Sequence, residues 1–162
     1  MTYLLDANVF IQAKNSYYSF DLAPGFWEWL EHVEATGQAC SVQAVYRELV
    51  AGGDDLAAWS KNHSPFFILP DQRTASQFQR LTNWANSQSF KPSALSAFTS
   101  SNADFLLVAH AAAYNLTVVT HETAASGSRK RVKIPDACKA LDVPWCNTFT
   151  MMRNCGARLV LA

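Results

Sequence analysis

Ala103-Asp104-Phe105-Leu106-Leu107-Val108-Ala109-His110-Ala111-Ala112-Ala113-Tyr114 decides how this chain is read. With Ser101 and Asn102 before it, the run is the clearest helix signal in the sequence, and the strand-like Thr117-Val118-Val119-Thr120 follows at once. Asp104 shares a helical stripe with Leu107, Val108 and Ala111, the face that must pack on a sheet. Ser101-x-x-Asp104 also fits a capping box, so a cap and a functional carboxylate both stand as readings of Asp104. A carboxylate at the edge of a core is costly unless it is hydrogen-bonded, paired or bound to a cation.

Outward from that helix, short apolar runs alternate with helical patterns, which signals an α/β domain with a parallel sheet. Thr2 to Leu5 reads as a first strand, Gln38 to Ser41 as a second, Phe66 to Leu69 as a third and Thr117 to Thr120 as a fourth. Helices are expected over Asn8 to Lys14, Ala23 to Glu34, Val42 to Leu49, Asp54 to Trp59 and Gln72 to Asn86. Thr36-Gly37 and Gly52-Gly53 supply stop signals. Ser87 to Ser101 reads as a polar loop around one short helix; Pro135 and Thr148 begin two more, and Ala157 to Leu161 is an edge strand or tail. No repeat or linker interrupts the pattern, so residues 1–162 read as one domain.

Composition limits the function classes. Half of the side chains are apolar, which suits a buried core and argues against disorder. Thirteen basic and thirteen acidic residues cancel, so contact with nucleic acid must come from a local patch. The N-terminal apolar stretch is cut by Asp6 and has no basic flank; neither signal peptide nor membrane span is expected, and a cytoplasmic location is. Cys40, Cys138, Cys146 and Cys155 form no C-x-x-C pair and read as reduced thiols rather than zinc ligands.

Three further acids share the position of Asp104 at the end of an apolar element. Asp6 ends Tyr3-Leu4-Leu5, where open α/β sheets place their ligands, although Asp is also a good N-cap. Glu48 flanks the apolar face of Val45, Tyr46 and Leu49, and Glu122 follows Val118-Val119-Thr120-His121. Asn8, His121 and Asp136 are weaker candidates, with Asp136 better explained as a first-turn helix charge. Like charges at close range repel, so acids gathered at one sheet edge make sense around a hard divalent cation such as Mg²⁺ or Mn²⁺.

The order Asp6-Ala7-Asn8, Arg47-Glu48-Leu49, Ala103 to Ala111 and Val118 to Glu122 resembles the PIN domain over roughly residues 1 to 125. The third motif is the most specific. The resemblance implies a Rossmann-like three-layer α/β/α fold with a central parallel sheet of four to five strands. It also implies a metal-dependent ribonuclease, like many toxins of bacterial toxin–antitoxin pairs in the VapC-like group. Asp6, Glu48, Asp104 and Glu122 would then form the catalytic metal site for Mg²⁺ or Mn²⁺, with Asn8, Thr120 and His121 in support. The common fourth acid is an aspartate, whereas this chain has His121-Glu122. That Thr-His-Glu, with Ile134-Pro135-Asp136-Ala137-Cys138, is similar to a less characterised PIN subgroup, and Asp136 competes for the fourth position.

Arg129-Lys130-Arg131-Val132-Lys133 is the one basic cluster; it reads either as a solvated loop or as a grip on RNA phosphates. Phe26, Trp27, Trp29 and Leu30 crowd one segment, either as core or as a surface for a small antitoxin or a second copy. The rival reading from another class is a catalytically silent PIN-like module that binds RNA or protein. A D-x-D phosphatase lacks its second aspartate at Asn8, and no Walker-type or dinucleotide-type glycine loop is present.

Overall fold

The computed structural model describes residues 1–161. In chain order its elements are β1 (Tyr3–Leu5), α1 (Ala7–Gln12), α2 (Pro24–Ala35), β2 (Ala39–Val42), α3 (Gln43–Ala51) and α4 (Asp55–Asn62). Then come β3 (Phe67–Ile68), α5 (Gln72–Ala75), α6 (Phe78–Ser87), α7 (Pro92–Ala97) and α8 (Ala103–Tyr114). β4 (Thr117–Val119), α9 (Ile134–Ala140), β5 (Trp145–Cys146) and α10 (Thr148–Asn154) complete the fold.

The five strands are parallel in the order β3-β2-β1-β4-β5, with Tyr3, Leu4 and Leu5 registered against Thr117, Val118 and Val119. β1 lies at the centre with all three residues buried, as a strand covered on both faces requires. The chain leaves β1 toward β2 on one side and returns through β4 on the other. The carboxyl ends of β1 and β4 therefore flank the point where the strand order reverses, the crevice in which such sheets bind ligands.

α8 packs on β1, β2 and β4 and against α5, α6 and α9. Nine of its twelve residues are buried, so it is apolar on nearly all sides rather than along one stripe. Asn115 in the left-handed conformation (φ 55°) ends it. Its start differs from expectation: Asn102 is the cap, its side-chain oxygen accepting from Phe105 N–H at 3.0 Å, and Ser101 takes no part in a capping box. Asp104 is thereby released from capping.

Other boundaries moved for local reasons. The helix after Asp6 begins at Ala7 and continues past Gln12 as a wide π-helical turn, Ala13–Tyr17. The helix expected over Gln72 to Asn86 is two, because Thr74 is buried and its Oγ1 lies 2.7 Å from Nδ1 of His110 on α8, drawing α5 out of line with α6. Ser64–Phe66 is a 3₁₀ turn, which shortens β3 to two residues. The fifth strand is Trp145–Cys146, a dipeptide too short for periodicity to reveal; residues 157–161 pair with no strand. Phe26, Trp27 and Leu30 lie in the core and Trp29 packs partly against it, so that crowded segment is mainly interior. Among the described residues no helix is long and apolar enough to cross a membrane, and all four cysteines are free thiols.

Candidate active site

β1 delivers Asp6 to the crevice. Its N–H donates to Val119 O at 3.0 Å, extending the parallel ladder by one residue, and its side chain is almost completely buried (2% exposed). Asp6 stands at the N-cap position of α1, yet its carboxylate caps nothing. Instead Oδ2 accepts from Thr120 Oγ1 at 2.9 Å. That hydroxyl also accepts from Glu122 N–H at 3.1 Å, so Thr120 ties the ends of β1 and β4 together.

Burial pushes the Asp6 carboxyl up to about 7, and the charges of Asp104 and Glu122 add to the rise against the bonds from Thr120 and Ala7. Asp104 is also raised by burial, with Glu122 adding and Arg131 and Lys133 opposing. Glu48, on α3, is exposed as a residue, but its carboxyl is raised by partial desolvation and then by Asp104, while Arg131 lowers it. Asp6, Asp104, Glu122 and Glu48 are thus within electrical reach of one another through Asp104.

Glu122 is the most tightly held. Its side chain is 6% exposed, and Oε2 accepts from Ile134 N–H at 2.8 Å, closing the first turn of α9. Arg131 Nη2 lies 2.8 Å from Oε1 but out of line for a hydrogen bond, so that buried oxygen accepts none. The same guanidinium nitrogen is 3.2 Å from Asp104 Oδ2, and Lys133 Nζ stands 3.8 Å from Glu122.

Sequence reasoning did not foresee the ion pairs that Arg131 makes with the acids. The basic run does not act as one outward patch: Arg131 and Lys133 turn onto the acids, while Arg129 Nε donates to Ser89 O at 2.9 Å and Lys130 stays exposed. The available signal was a cationic run within ten residues of a buried acid in a chain of zero net charge.

The remaining candidates scatter. Asn8 is half-buried on the first turn of α1. His121 Nε2 is 2.9 Å from Thr148 Oγ1, and its ring stacks on Tyr17 and meets Phe149 edge-on. Asp136 Oδ2 accepts from Ala125 N–H at 3.1 Å and faces a separate cleft with Trp84 and Arg129.

Oxygen-only donors, a buried Glu122 oxygen that accepts no hydrogen bond and an Asp6 proton held up to about 7 fit a hard divalent cation. Among the described residues, no three acidic, imidazole or thiol groups stand close enough to hold an ion as placed. The guanidinium of Arg131 bridges two of the acids.

Comparison with known proteins bears on the fold and the family. A model of the family described as a domain of unknown function (DUF4411) matches residues 3–159. No curated protein matches the sequence. A chain of VapBC2 from Rickettsia felis, solved bound to a DNA fragment from their promoter, is 15% identical with a TM-score of 0.57, covering 91% of this chain and 98% of its own. A chain of VapBC-1 from nontypeable Haemophilus influenzae, solved at 2.2 Å, matches with the same identity, coverage and TM-score. At that identity the likeness speaks for the fold, a five-stranded parallel sheet flanked by helices. The chain belongs to the DUF4411 family and has a PIN-like α/β fold, shared with these chains of VapBC complexes.

Proposed function

We propose that this protein is a metal-dependent endoribonuclease, the toxin of a toxin–antitoxin pair. The observation that carries the reading is Asp6: a buried carboxylate at the switch point of the sheet, unused as a cap, raised by burial and by two neighbouring acids. Such a charge disfavours folding on its own and is useful once a cation arrives. The likeness in fold to chains of VapBC complexes supports a protein partner, and the resemblance of the acidic motifs to the PIN domain supports the nuclease chemistry.

Asp6 and Asp104 would hold Mg²⁺ or Mn²⁺, with Glu48 and Glu122 completing the shell directly or through water. The ion supplies Lewis-acid polarisation of the phosphodiester and activation of water. Thr120 fixes the rotamer of Asp6 through its hydroxyl. Asp6 would have to be ionised to hold the ion. Arg131, at the rim of the acids, is placed to meet a substrate phosphate.

Asp6→Asn should abolish metal-dependent RNA cleavage while circular dichroism stays that of the parent; full activity in this variant would sink the proposal. Growth arrest on expression, relieved by a co-expressed small partner, tests the toxin role. One observation favours the second reading, a silent PIN-like binding module: Arg131 already neutralises Asp104 and Glu122. Calorimetric titration with Mn²⁺ separates the two. Micromolar binding lost in Asp104→Asn supports the enzyme, and no binding supports the module.

A further inference from the structure

We propose that the cleft beside Asp104 is a nucleobase subsite, selective for bases that carry a keto group where cytosine and adenine carry an amino group. The inference rests on the ribonuclease reading and adds to it the nucleotide next to the cleaved bond. The cleft, about 310 Å³, lies between α7 and the segment 130–132 and is lined by Ala97, Phe98, Asn102, Asp104, Lys130 and Arg131 among others. That volume is at the small end of ligand sites, suited to one nucleotide unit rather than a duplex.

Asp104 belongs to both the cleft and the acidic cluster, so a phosphate engaged at the acids brings an adjoining base to the cleft mouth. Phe98 supplies an apolar wall and is held edge-on by Phe105, with ring centroids 5.1 Å apart. Lys130, exposed on the rim, gives it a positive charge for a polynucleotide backbone.

Asn102 makes the cleft selective. Its Oδ1 accepts from Phe105 N–H at 3.0 Å as the cap of α8. This bond fixes the amide orientation, because the flipped amide would set NH₂ against N–H. Among the described residues no group accepts from that NH₂, so its two N–H donors are free for the cleft while Oδ1 is engaged at the start of α8. A donor pairs with O4 of uracil or O6 of guanine and opposes the amino group of cytosine or adenine.

The test is fluorescence anisotropy with labelled U₅ and C₅ at one salt concentration, on the Asp6→Asn protein so that neither is cut. The two oligomers carry equal charge, so their phosphate contributions cancel in the ratio. U₅ should bind roughly five- to tenfold more tightly, the value of one hydrogen bond. Asn102→Asp in the same background keeps the cap, since Asp caps as well as Asn, but replaces the donor with an acceptor. The preference should then reverse toward C₅, even as the added charge weakens both. Equal affinities, or a preference unchanged by Asn102→Asp, overturn the base assignment and leave the nuclease reading intact. Binding of neither oligomer overturns the subsite; if the unsubstituted protein also cleaves no RNA, the nuclease reading falls with it.

Discussion

α8 carries a carboxylate cluster toward each end, and the two are built on opposite principles. Near its C-terminal end, Tyr114 OH donates to Asp71 Oδ2, while Thr74 N–H and Oγ1 donate to Oδ1 at 2.9 and 3.1 Å. Arg73 lies over the Tyr114 ring, 4.5 Å from its centroid. The Tyr114 hydrogen bond, followed by those from Thr74, brings Asp71 down to about 2. At the other end Asp6 has one side-chain donor, Thr120, and two acids that push it the other way, to about 7. A carboxylate supplied with donors holds a structure together. One deprived of donors and crowded by like charges is prepared for a cation.

The strongest way to break this contrast is Asp6→Asn. Metal-dependent cleavage should fall by roughly a thousandfold, as expected when a ligand to a catalytic cation is lost. Metal-free stability should move the opposite way. Because Asp6 is raised from 3.8 to about 7 in the folded protein, its contribution is fully present below about pH 4. It is lost as the pH rises toward 7. Asn is neutral throughout, so at pH 8 in EDTA the variant should exceed the parent by up to ~4 kcal/mol. The gap should close toward pH 4. A less stable variant at pH 8 would show that the Asp6 charge is already compensated.

Arg131→Gln sharpens the comparison from the other side by removing the cation that the chain itself supplies to Asp104 and Glu122. Its side chain is about half exposed, so the two ion pairs contribute on the order of 1 kcal/mol. The metal-free protein should melt slightly lower, and calorimetric Mn²⁺ affinity should rise by about tenfold as the competitor leaves. Weaker Mn²⁺ binding would mean that Arg131 organises the site rather than competing for it.

The sheet and the positions of Asp6, Asp104 and Glu122 were legible because they depend on local pattern. An apolar run that stops at an acid is visible in one dimension, and β1, α8 and β4 are long or regular enough to announce themselves. What stayed hidden depends on long-range pairing. Arg131 meets Asp104 across 27 residues, and Thr74 meets His110 across 36. Asn102 was passed over because Ser101 and Asp104 offered a complete capping pattern one residue away. β5 has only two residues and gains its identity from pairing with β4.

Thr120→Val is a smaller perturbation of the same carboxylate. It removes the one side-chain donor that favours the ionised form of Asp6, at a net cost of about 1 kcal/mol. Asp6 should then hold its proton to higher pH. Mn²⁺ affinity should drop severalfold near pH 6 and recover above pH 8, where the proton is gone in both proteins. A loss that is constant with pH would place Thr120 in direct contact with the ion instead.

Asp71→Asn probes the opposing cluster and should leave Mn²⁺ binding untouched. Asn keeps an oxygen for Thr74 and the cap of α5 but lacks the charge that holds the Tyr114 hydroxyl. The sign is the reverse of that at Asp6. A carboxyl lowered from 3.8 to about 2 stabilises the fold at every pH above about 4, and the benefit is lost as the pH falls through 2. At pH 7 the variant should melt about 2–4 °C below the parent, with the difference shrinking as the pH falls toward 2. A change in Mn²⁺ affinity would mean that α8 transmits strain between its ends. An unchanged affinity with a lowered melting point would assign the two clusters to separate tasks, because only the one that withholds donors from its carboxylate would respond to the ion.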